Sequence, residues 1–566
     1  MLQIHFCMKQ LIECVPNFSE GRDQQILEKI SDAIRSVEGV KLLDIDPGRA
    51  TNRTVFTFVG EPEPVIEAAF RAIQTASELI DMRKHKGEHP RMGATDVCPL
   101  IPIRNISMEE VVQWAHKLGK RVGEELGISG YYYEMAASSP SRKNLADVRS
   151  GEYEGLEKKI ITPEWKPDFG PTDFNPRFGA IAIGARNFLI AYNINLNTTS
   201  TRRANAIAFD VREAGRVKTD EKGKTILDED NNPIRIPGTL KAVKAIGWYI
   251  EEYGIAQISM NLTDITVTSV HQAFDEVCEK ARIRGIRVTG SELVGLVPLQ
   301  CMLDAGRYFL EKQQRSIGVS DAELIKIAVR SLGLDDLKPF DPKKKIIEYM
   351  LDEGDGSNLI TLSVEAFCNL TSAESPAPGG GSVSAVVGAL GVSLATMVAN
   401  LSSHKRGWDD QWEYFSRWAT KGQALKSQLL YLVDEDTNAF NQILEAFRMP
   451  NETAEEKEFR KQAIQHATKY ATEIPFQVMQ TVYEALPIAE AMIQKGLPSS
   501  VSDGAVGVLC LQAAMRGAYL NVKINAGSLH DKDYVNQILD KAKLLVTKMD
   551  IQTHELLALA ESKILS

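Results

Sequence analysis

Hydrophobic and polar residues follow two alternating patterns in the first part of the chain. Short apolar segments typical of strands alternate with longer segments whose apolar positions recur with the period of a helix. The pattern predicts strands at 11–15, 41–46, 52–59 and 97–103 and helices at 23–37, 63–84 and 108–126. Ser107 and Glu110 form a capping box before the last helix. The resulting order, β-α-β-β-α-β, is that of a ferredoxin-like subdomain.

The same order recurs further along the chain. Strands are predicted at 188–195, 240–250, 256–262 and from 287, and helices at 201–213 and 270–282. The polar, turn-rich segment 219–237 predicts a surface hairpin. We therefore predict two α/β (α+β) subdomains of ferredoxin-like order, 8–187 and 188–350.

The pattern becomes almost entirely helical after an acidic, glycine-rich segment, which we interpret as a linker over 351–360. Helices are predicted at 364–370, 383–401, 412–447, 454–495, 501–525 and 532–565. Residues 361–566 are thus expected to form an all-α helical-bundle domain. The segment 383–401 has no charged residue, but it is rich in Ala, Gly and Ser and lacks flanking aromatic residues. We interpret it as a buried helix at a tight helix–helix contact, not as a membrane span.

Composition narrows the classes of partner and compartment. The chain has 566 residues, 44% of them hydrophobic and 25% charged, and a net charge of −10, which argues against a nucleic-acid-binding surface. Seven scattered cysteines without a CxxC pair indicate neither a zinc site nor a disulfide framework and are typical of the cytoplasm. Residues 1–7 do not form a signal peptide, and Met8 is a candidate for the native start.

His89 is the first candidate for catalysis. Gly87 and Pro90 bracket it, which places it on a turn, and an imidazole titrates near neutral pH. Arg91 and Arg53 are candidates for holding an anionic substrate. The letters at 85–89 match a zinc-binding HxxEH motif, but that motif needs an intact helix, which Gly87 and Pro90 prevent; no metal is expected.

A second candidate site combines a glycine-rich helix start with an acidic residue. Gly379, Gly380, Gly381 and Ser382 precede the apolar helix, where free backbone N–H groups can bind an anion; the alternative is a flexible entry with Ser382 as the cap. Asp436 lies on the apolar stripe of its predicted helix, so burial is expected to raise its pKa toward a useful acid–base value. The alternative for this carboxylate is a bond to a neighbouring helix end.

A long loop offers a third candidate site, for a flat heteroaromatic ligand that bears carboxylates. It has glycines at both ends, two aromatic residues and one arginine. The loop consists of Gly170, Pro171, Thr172, Asp173, Phe174, Asn175, Pro176, Arg177, Phe178 and Gly179. The alternative is a packed connection without a ligand.

Together these motifs resemble the formimidoyltransferase-cyclodeaminase family. The resemblance is carried by LIECVPNFSEG at 11–21, TNRTV at 51–55, GEHPRMG at 87–93, DVCP at 96–99, the loop 170–179, PAPGGGS at 376–382 and LVDEDTNAF at 432–440. It runs in the same order from about Met8 to the C-terminus, and its N-terminal motifs are the longer and more specific ones.

The resemblance implies a cytoplasmic, bifunctional folate enzyme of histidine degradation. The first half would transfer a formimino group from N-formimino-L-glutamate to N5 of tetrahydrofolate, and the second would close the ring to 5,10-methenyltetrahydrofolate and release ammonia. By motif, His89 matches the catalytic histidine of the transferase, 170–179 its folate-binding loop, and Asp436 the catalytic acid of the deaminase. Tetrahydrofolate is then a co-substrate, with or without a polyglutamate tail, and no metal is needed.

The family also implies a homo-oligomer with contacts in both the helical and the transferase domains. Two alternatives remain: a transferase without a second activity, whose helical half serves oligomerisation, and a transferase that uses a formyl donor. The segment 219–237 is longer than is usual in the family, and the acidic linker is unsuited to guide a polyglutamate tail between sites.

Overall fold

The computed structural model describes residues 10–49, 51–87, 90–221, 223–228, 231–351, 358–375 and 377–564. The chain divides into two compact units, Met1–Cys301 with Leu332–Asp352, and Met302–Ser331 with Glu353–Ser566. The expected division at 350 differs from this one because 302–331 groups with the helical unit. His89, the candidate start at Met8, Pro376 and the acidic linker residues 352–357 lie outside the described residues.

The α/β unit begins with a seven-stranded sheet. Its strands are β1 (Leu11–Cys14), β2 (Asn17–Phe18), β3 (Val40–Gly48), β4 (Arg53–Gly60), β5 (Thr95–Arg104), β6 (Gly130–Glu134) and β7 (Ile181–Ala185). β1 and β2 both lie between β4 and β5, and β3 pairs with the other edge of β4, all antiparallel. β7 and then β6 continue the sheet beyond β5 in parallel pairing. The order β3-β4-β1/β2-β5 is ferredoxin-like, as predicted.

Five helices belong to this first part: α1 (Gln24–Arg35), α2 (Pro62–Leu79), α3 (Met108–Glu125), α4 (Leu145–Val148) and α5 (Glu152–Lys159). The capping box of Ser107 and Glu110 is present at α3. The helix predicted at 63–84 ends five residues early, because Ile80 is extended and the Met82 N–H donates to the carbonyl of Arg177, 2.9 Å away. A contact with the loop 170–179 thus ends α2.

The second part repeats the order in a four-stranded sheet, β11-β12-β8-β13. Its elements are β8 (Ile190–Leu196), α6 (Thr201–Val211), β9 (Arg216–Val217), β10 (Arg235–Ile236), β11 (Val243–Ile250), β12 (Ile255–Leu262), α7 (Val270–Ile283) and β13 (Val288–Val294). β9 and β10 pair as the predicted hairpin. The prediction of two ferredoxin-like subdomains is confirmed.

The remaining elements are helices. They are α8 (Leu299–Lys312), α9 (Asp321–Leu332), α10 (Pro342–Lys345), α11 (Ile347–Leu351), α12 (Val364–Thr371), α13 (Gly380–Ser403), α14 (Trp412–Arg448), α15 (Ala454–Lys495), α16 (Val501–Ala526) and α17 (Lys532–Ile564). The long helices from α13 to α17 lie within one or two residues of their predicted ends, except that α13 starts three residues earlier. The all-helical second unit is confirmed.

The apolar helix α13 lies inside the helical unit, in close contact with α16. A Cβ atom on Gly391 would lie 2.8 Å from the carbonyl oxygen of Gly507, so the two backbones meet where neither has a side chain. Within the described residues, two helices are long and apolar enough to cross a membrane, Gly380–Ser403 and Pro498–Ala526. Of their most apolar windows, 61% and 39% are buried inside the structure.

Glu13 is a carboxylate in the interior of the first sheet, with 3% of its surface exposed. Burial raises the pKa of Glu13 to about 7; nearby Arg186 opposes this shift, and Glu348 adds to it. A carboxyl group whose pKa is higher in the folded chain binds its proton more tightly there than in the unfolded chain. Protonation of Glu13 therefore favours folding.

We expect Glu13→Gln to remove a pH-dependent loss of stability. In the unsubstituted chain, the favourable contribution is fully present below pH 4.5, the ordinary pKa, and is lost as the pH rises through about 7. The loss corresponds to about 3 kcal/mol in the free energy of unfolding. Urea unfolding of the α/β unit near pH 4 and near pH 8 measures it. An equal loss in Glu13→Gln would show that other groups cause it.

Candidate active sites

Three of the sequence motifs meet around the turn that contains His89. A Cβ atom on Gly87 would lie 2.1 Å from the carbonyl oxygen of Thr51, so the turn packs directly against the start of β4. Asn52 joins the motifs, because its Nδ2 donates to the carbonyl of Lys86 at 3.1 Å and its Oδ1 accepts the N–H of Gly21 at 3.0 Å. Segments far apart in sequence therefore surround the described ends of the turn.

Arg53, the first residue of β4, lies in a largely buried polar group. Its Nε and Nη2 donate to Oδ1 of Asn17 at 3.0 and 2.6 Å, and its Nη1 is 3.7 Å from the carboxylate of Asp96. Asp96 is fully buried and also binds Arg149 and the N–H of Met92. Burial lowers the pKa of Arg53 to about 10, and Asp96 opposes that shift. The carboxylate of Asp96 thus lies close to the guanidinium groups of both Arg53 and Arg149.

Arg91 is held by acidic side chains of α5. Its guanidinium lies 2.6 Å from Glu154 and 3.1 Å from Glu152, and its Nε donates to Nδ1 of His85 at 3.3 Å. A cavity of about 450 Å3, lined by Arg91, Gly87, both glutamates and Lys86, opens beside it. In the sequence, His85 stands out only as the first letter of the rejected HxxEH motif, and no local motif marks Glu152 or Glu154. The substrate-binding roles of Arg53 and Arg91 stay predictions.

The loop 170–179 runs beside the same turn. Gly179 pairs with Gly93, and a Cβ atom on Gly179 would lie 2.1 Å from the carbonyl oxygen of Met92. Inside the loop, Oδ1 of Asn175 accepts the N–H groups of Arg177 and Phe178 at 3.0 and 3.1 Å. These bonds order the loop, and they leave its first four residues largely at the surface.

Both interpretations of this loop have structural support. Phe178 is buried, Arg177 donates to the carbonyl of Glu78, and Tyr153 donates to the carbonyl of Pro176, as a packed connection requires. Pro171, Thr172 and Asp173 are exposed, and the ring of Phe174 packs 5.7 Å from Tyr153. The folate-binding role of 170–179 stays a prediction.

In the helical unit, the two candidate features, the glycine-rich helix start and Asp436, contact each other. Oδ2 of Asp436, on α14, accepts the backbone N–H of Ser382 at 2.7 Å and the hydroxyl of Ser382 at 3.1 Å, in the first turn of α13. A Cβ atom on Gly381 would lie 2.0 Å from Oδ1 of Asp436, so glycine is required for this approach. The carboxylate therefore occupies the helix N-terminus that the sequence analysis considered for an anion.

This contact agrees with the alternative reading of Asp436 as a bond to a neighbouring helix end. The two readings are compatible, because burial raises the pKa of Asp436 above its ordinary value even though both bonds from Ser382 lower it. A carboxyl group with a raised pKa stays protonated at higher pH and is then a proton donor. The catalytic role of Asp436 stays a prediction.

Polar side chains near this contact were not found from the sequence. The amide of Asn521, on α16, would lie 3.1 Å from a Cβ atom on Gly380, and its Nδ2 donates to the carbonyl of Gly517 at 2.9 Å. Glu435 accepts the hydroxyl of Tyr470, on α15. Over the whole of the described chain, no group of three His, Cys, Asp or Glu side chains is arranged to hold a metal ion.

Comparison with known proteins covers both units. Family profiles match three parts of the chain: "Formiminotransferase domain, N-terminal subdomain" at 11–186, "Formiminotransferase domain" at 191–352 and "Formiminotransferase-cyclodeaminase" at 363–544. The formimidoyltransferase-cyclodeaminase of Rattus norvegicus is 43% identical over 557 residues, which is 98% of this chain and 100% of that protein.

Two shorter relatives each match part of the chain. The glutamate formimidoyltransferase of Streptococcus pyogenes serotype M1 is 40% identical over 304 residues, 54% of this chain and 94% of its own length. The methenyltetrahydrofolate cyclohydrolase of Methylorubrum extorquens is 30% identical over 202 residues, 36% of this chain and 97% of its own length.

Proposed function

The chain belongs to the formimidoyltransferase-cyclodeaminase family, and on this premise we propose that its two units catalyse consecutive steps of one-carbon transfer. The α/β unit moves the formimino group of N-formimino-L-glutamate to N5 of tetrahydrofolate and releases L-glutamate. The helical unit converts the 5-formimidoyltetrahydrofolate to 5,10-methenyltetrahydrofolate and ammonia. Both steps belong to histidine degradation.

In the transfer step, N5 attacks the amidine carbon of the donor and must lose its proton. We assign His89 as the base that accepts this proton and then returns it to the departing nitrogen of glutamate. Arg53 adjoins Asn52, which donates to the carbonyl of Lys86 in this turn, and is assigned to binding the anionic donor. The exposed start of the loop 170–179, whose other end pairs with Gly93, is assigned to the folate.

In the second step, N10 attacks the same carbon, and ammonia departs only after its nitrogen gains a proton. We assign Asp436 as the donor of that proton. The observation that carries the bifunctional proposal is the contact of this half-buried carboxyl group with Ser382 and Gly381 at the start of α13, together with its raised pKa. Ser382, Gly380 and Gly379 adjoin the carboxyl group and are assigned to substrate binding.

A coupled assay tests this proposal. The purified chain receives tetrahydrofolate and N-formimino-L-glutamate, while ammonia and the near-ultraviolet absorbance of the methenyl product are followed together. Matching rates are expected. Formation of glutamate without ammonia would show that the chain has the transferase activity but not the cyclodeaminase activity. The helical unit would then be an assembly module. Replacing the donor with N-formyl-L-glutamate tests the formyl alternative, for which no transfer is expected.

The name of the Methylorubrum extorquens relative provides a second candidate activity for the chain, hydrolysis of methenyltetrahydrofolate. In that reaction, water would attack the same carbon of the substrate, and no ammonia would be released. Supplying 5,10-methenyltetrahydrofolate directly and following the loss of its absorbance separates the two activities. A loss faster than in buffer, with no ammonia formed from the 5-formimidoyl compound, would favour the hydrolase.

We expect Gly381→Ala to lower cyclodeaminase activity at least tenfold and to leave transferase activity unchanged. The added Cβ atom would lie 2.0 Å from Oδ1 of Asp436, so the carboxyl group must move away from Ser382. Displacement of a reacting group by about 1 Å is enough for a loss of this order. Separate assays of the two steps measure it, and transfer by the same preparation controls for folding. Full deamination in Gly381→Ala would show that catalysis does not depend on the contact between Asp436 and Ser382.

We also propose a cytoplasmic homo-oligomer. The cysteines support a reducing compartment, because Cys14, Cys98, Cys368 and Cys510 form no disulfide among the described residues. Leu390, Met397 and Leu401 form an exposed apolar stripe on α13, which supports self-association. Sedimentation of the purified chain is expected to give a multiple of 62.6 kDa; a monomer at micromolar concentration would contradict the oligomer. Fractionation of the source cells tests the compartment.

A further inference from the structure

A cavity of about 300 Å3 lies on one face of α15, near the start of that helix. Asn451, from the connection before α15, and His530, from the connection before α17, form part of its wall. The other lining residues lie three to four positions apart on α15 and therefore project from the same side of the helix. They are Lys457, Arg460, Lys461, Ile464 and Gln465. The cavity belongs to the helical unit and shares no lining residue with the contact between Asp436 and Ser382.

The lining side chains carry positive charge without a carboxylate among them. Within the described chain, Lys457 and Lys461 form no salt bridge. The carboxylates next to them in sequence are bound elsewhere, because Glu456 belongs to the capping box of α15 and Glu458 accepts the amide of Gln462 at 3.0 Å. Like charges four positions apart on a helix repel each other. An anion between the two lysines would relieve this repulsion.

Arg460 adds a third positive charge to the wall. Its Nη2 donates to the carbonyl of Phe447 at 2.6 Å, which fixes the guanidinium group at the end of α14. Its Nε is buried and has no hydrogen-bond partner in the described structure. A buried donor without an acceptor costs free energy. The guanidinium group thus has hydrogen-bonding capacity that the protein itself does not use.

Gln465 fixes the part of the wall that contains His530. Its Oε1 accepts the N–H of His530 at 2.8 Å, and its Nε2 donates to the carbonyl of Ser528 at 3.1 Å. These two hydrogen bonds join α15 to the connection before α17, as the bond from Arg460 joins it to α14. The wall is therefore ordered before a ligand arrives, which lowers the cost of binding.

We propose that this cavity binds a small anion with at least two negative charges, held by Lys457, Lys461 and Arg460. Phosphate groups and carboxylates are the anions that lysine and arginine bind in proteins. Apart from Ile464, the lining residues are polar or charged, so charge rather than apolar contact selects the ligand. A cavity of this size accepts a small molecule. The proposal is independent of the two catalytic steps assigned above.

Calorimetric titration of the full chain with pyrophosphate and with citrate tests the proposal and distinguishes phosphate from carboxylate ligands. In about 150 mM salt, which screens attraction over long distances, a dissociation constant below about 1 mM is expected for one of the two anions. The double substitution Lys457→Gln and Lys461→Gln is expected to weaken binding at least about tenfold, because two charges next to the anion are removed.

The double substitution Lys541→Gln and Lys543→Gln is the matched control. It removes the same charge from two exposed lysines of α17 that do not line the cavity. Binding is expected to change less than about twofold, because charges outside the cavity are screened by salt. Equal weakening by the two double substitutions would show a general attraction of the chain for anions and would overturn the proposal.

Thermal unfolding supplies a second readout that does not depend on catalysis. A ligand that binds the folded chain raises its Tm. The anion that binds is therefore expected to raise Tm in the unsubstituted chain and in the control, but not in the variant without Lys457 and Lys461. Equal Tm values without the anion would show that the substitutions leave the fold intact. Binding of neither anion by the unsubstituted chain would overturn the proposal and leave the transferase and cyclodeaminase assignments untouched.

Discussion

Asp436→Asn is expected to abolish cyclodeamination and to leave formimino transfer intact. The asparagine keeps the size of the side chain and still offers an oxygen to the N–H of Ser382, so the start of α13 keeps its cap. It has no acidic proton to give to the departing ammonia. General acid catalysis contributes on the order of a hundred- to ten-thousandfold, and a loss in that range is expected. Ammonia release from 5-formimidoyltetrahydrofolate measures it.

Asp434→Asn is the matched control for this substitution. Asp434 lies two residues earlier on α14, burial raises its pKa too, and its carboxylate accepts the N–H of Leu359 at 2.6 Å, so it is a second carboxyl group that binds a backbone N–H but not that of Ser382. Deamination is expected to persist in it.

Because the acid form of Asp436 is the active one, deamination by the unsubstituted chain should decline as the pH rises through the raised pKa. Full deamination by Asp436→Asn would show that Asp436 only caps the start of α13.

His89→Ala is expected to have the opposite effect, a loss of transfer on the order of a hundred- to ten-thousandfold with deamination retained. Without this imidazole, the proposed base that takes the proton of N5 during attack on the amidine carbon is missing. Glutamate release measures the first step, and conversion of added 5-formimidoyltetrahydrofolate measures the second. His116→Ala serves as the control, because His116 lies on α3 and its Nε2 contacts the carbonyl of Ala136.

An equal mixture of His89→Ala and Asp436→Asn provides a test of the division itself. The intermediate made by one variant is a substrate for the other, so the mixture is expected to regain formation of the methenyl product. Loss of both activities in each single variant, with folding intact, would mean that the two units do not divide the reaction between them.

The secondary structure of this chain was largely predictable from the sequence because its elements are long and amphipathic. The periodicity in α14, α15, α16 and α17 determined each of their ends to within two residues, and the ferredoxin-like order followed from the alternation of strands and helices. The end of α2 was wrong, because it depends on a hydrogen bond from Met82 to Arg177, ninety-five positions away. Periodicity is a local signal and carries no information about such a contact.

The sequence predicted single residues and motifs of the candidate sites but not which of them lie together. The sequence by itself determined which residues have suitable chemistry: a histidine on a turn, a glycine-rich helix start, and a carboxylate on an apolar stripe. Only the tertiary structure decided that Asp436 and Ser382 meet although 54 positions separate them, and that Arg91 is neutralised by Glu152 and Glu154. The physical reason is that residue type and spacing set the local conformation, whereas charge pairing, burial and the resulting pKa depend on which distant segments pack together.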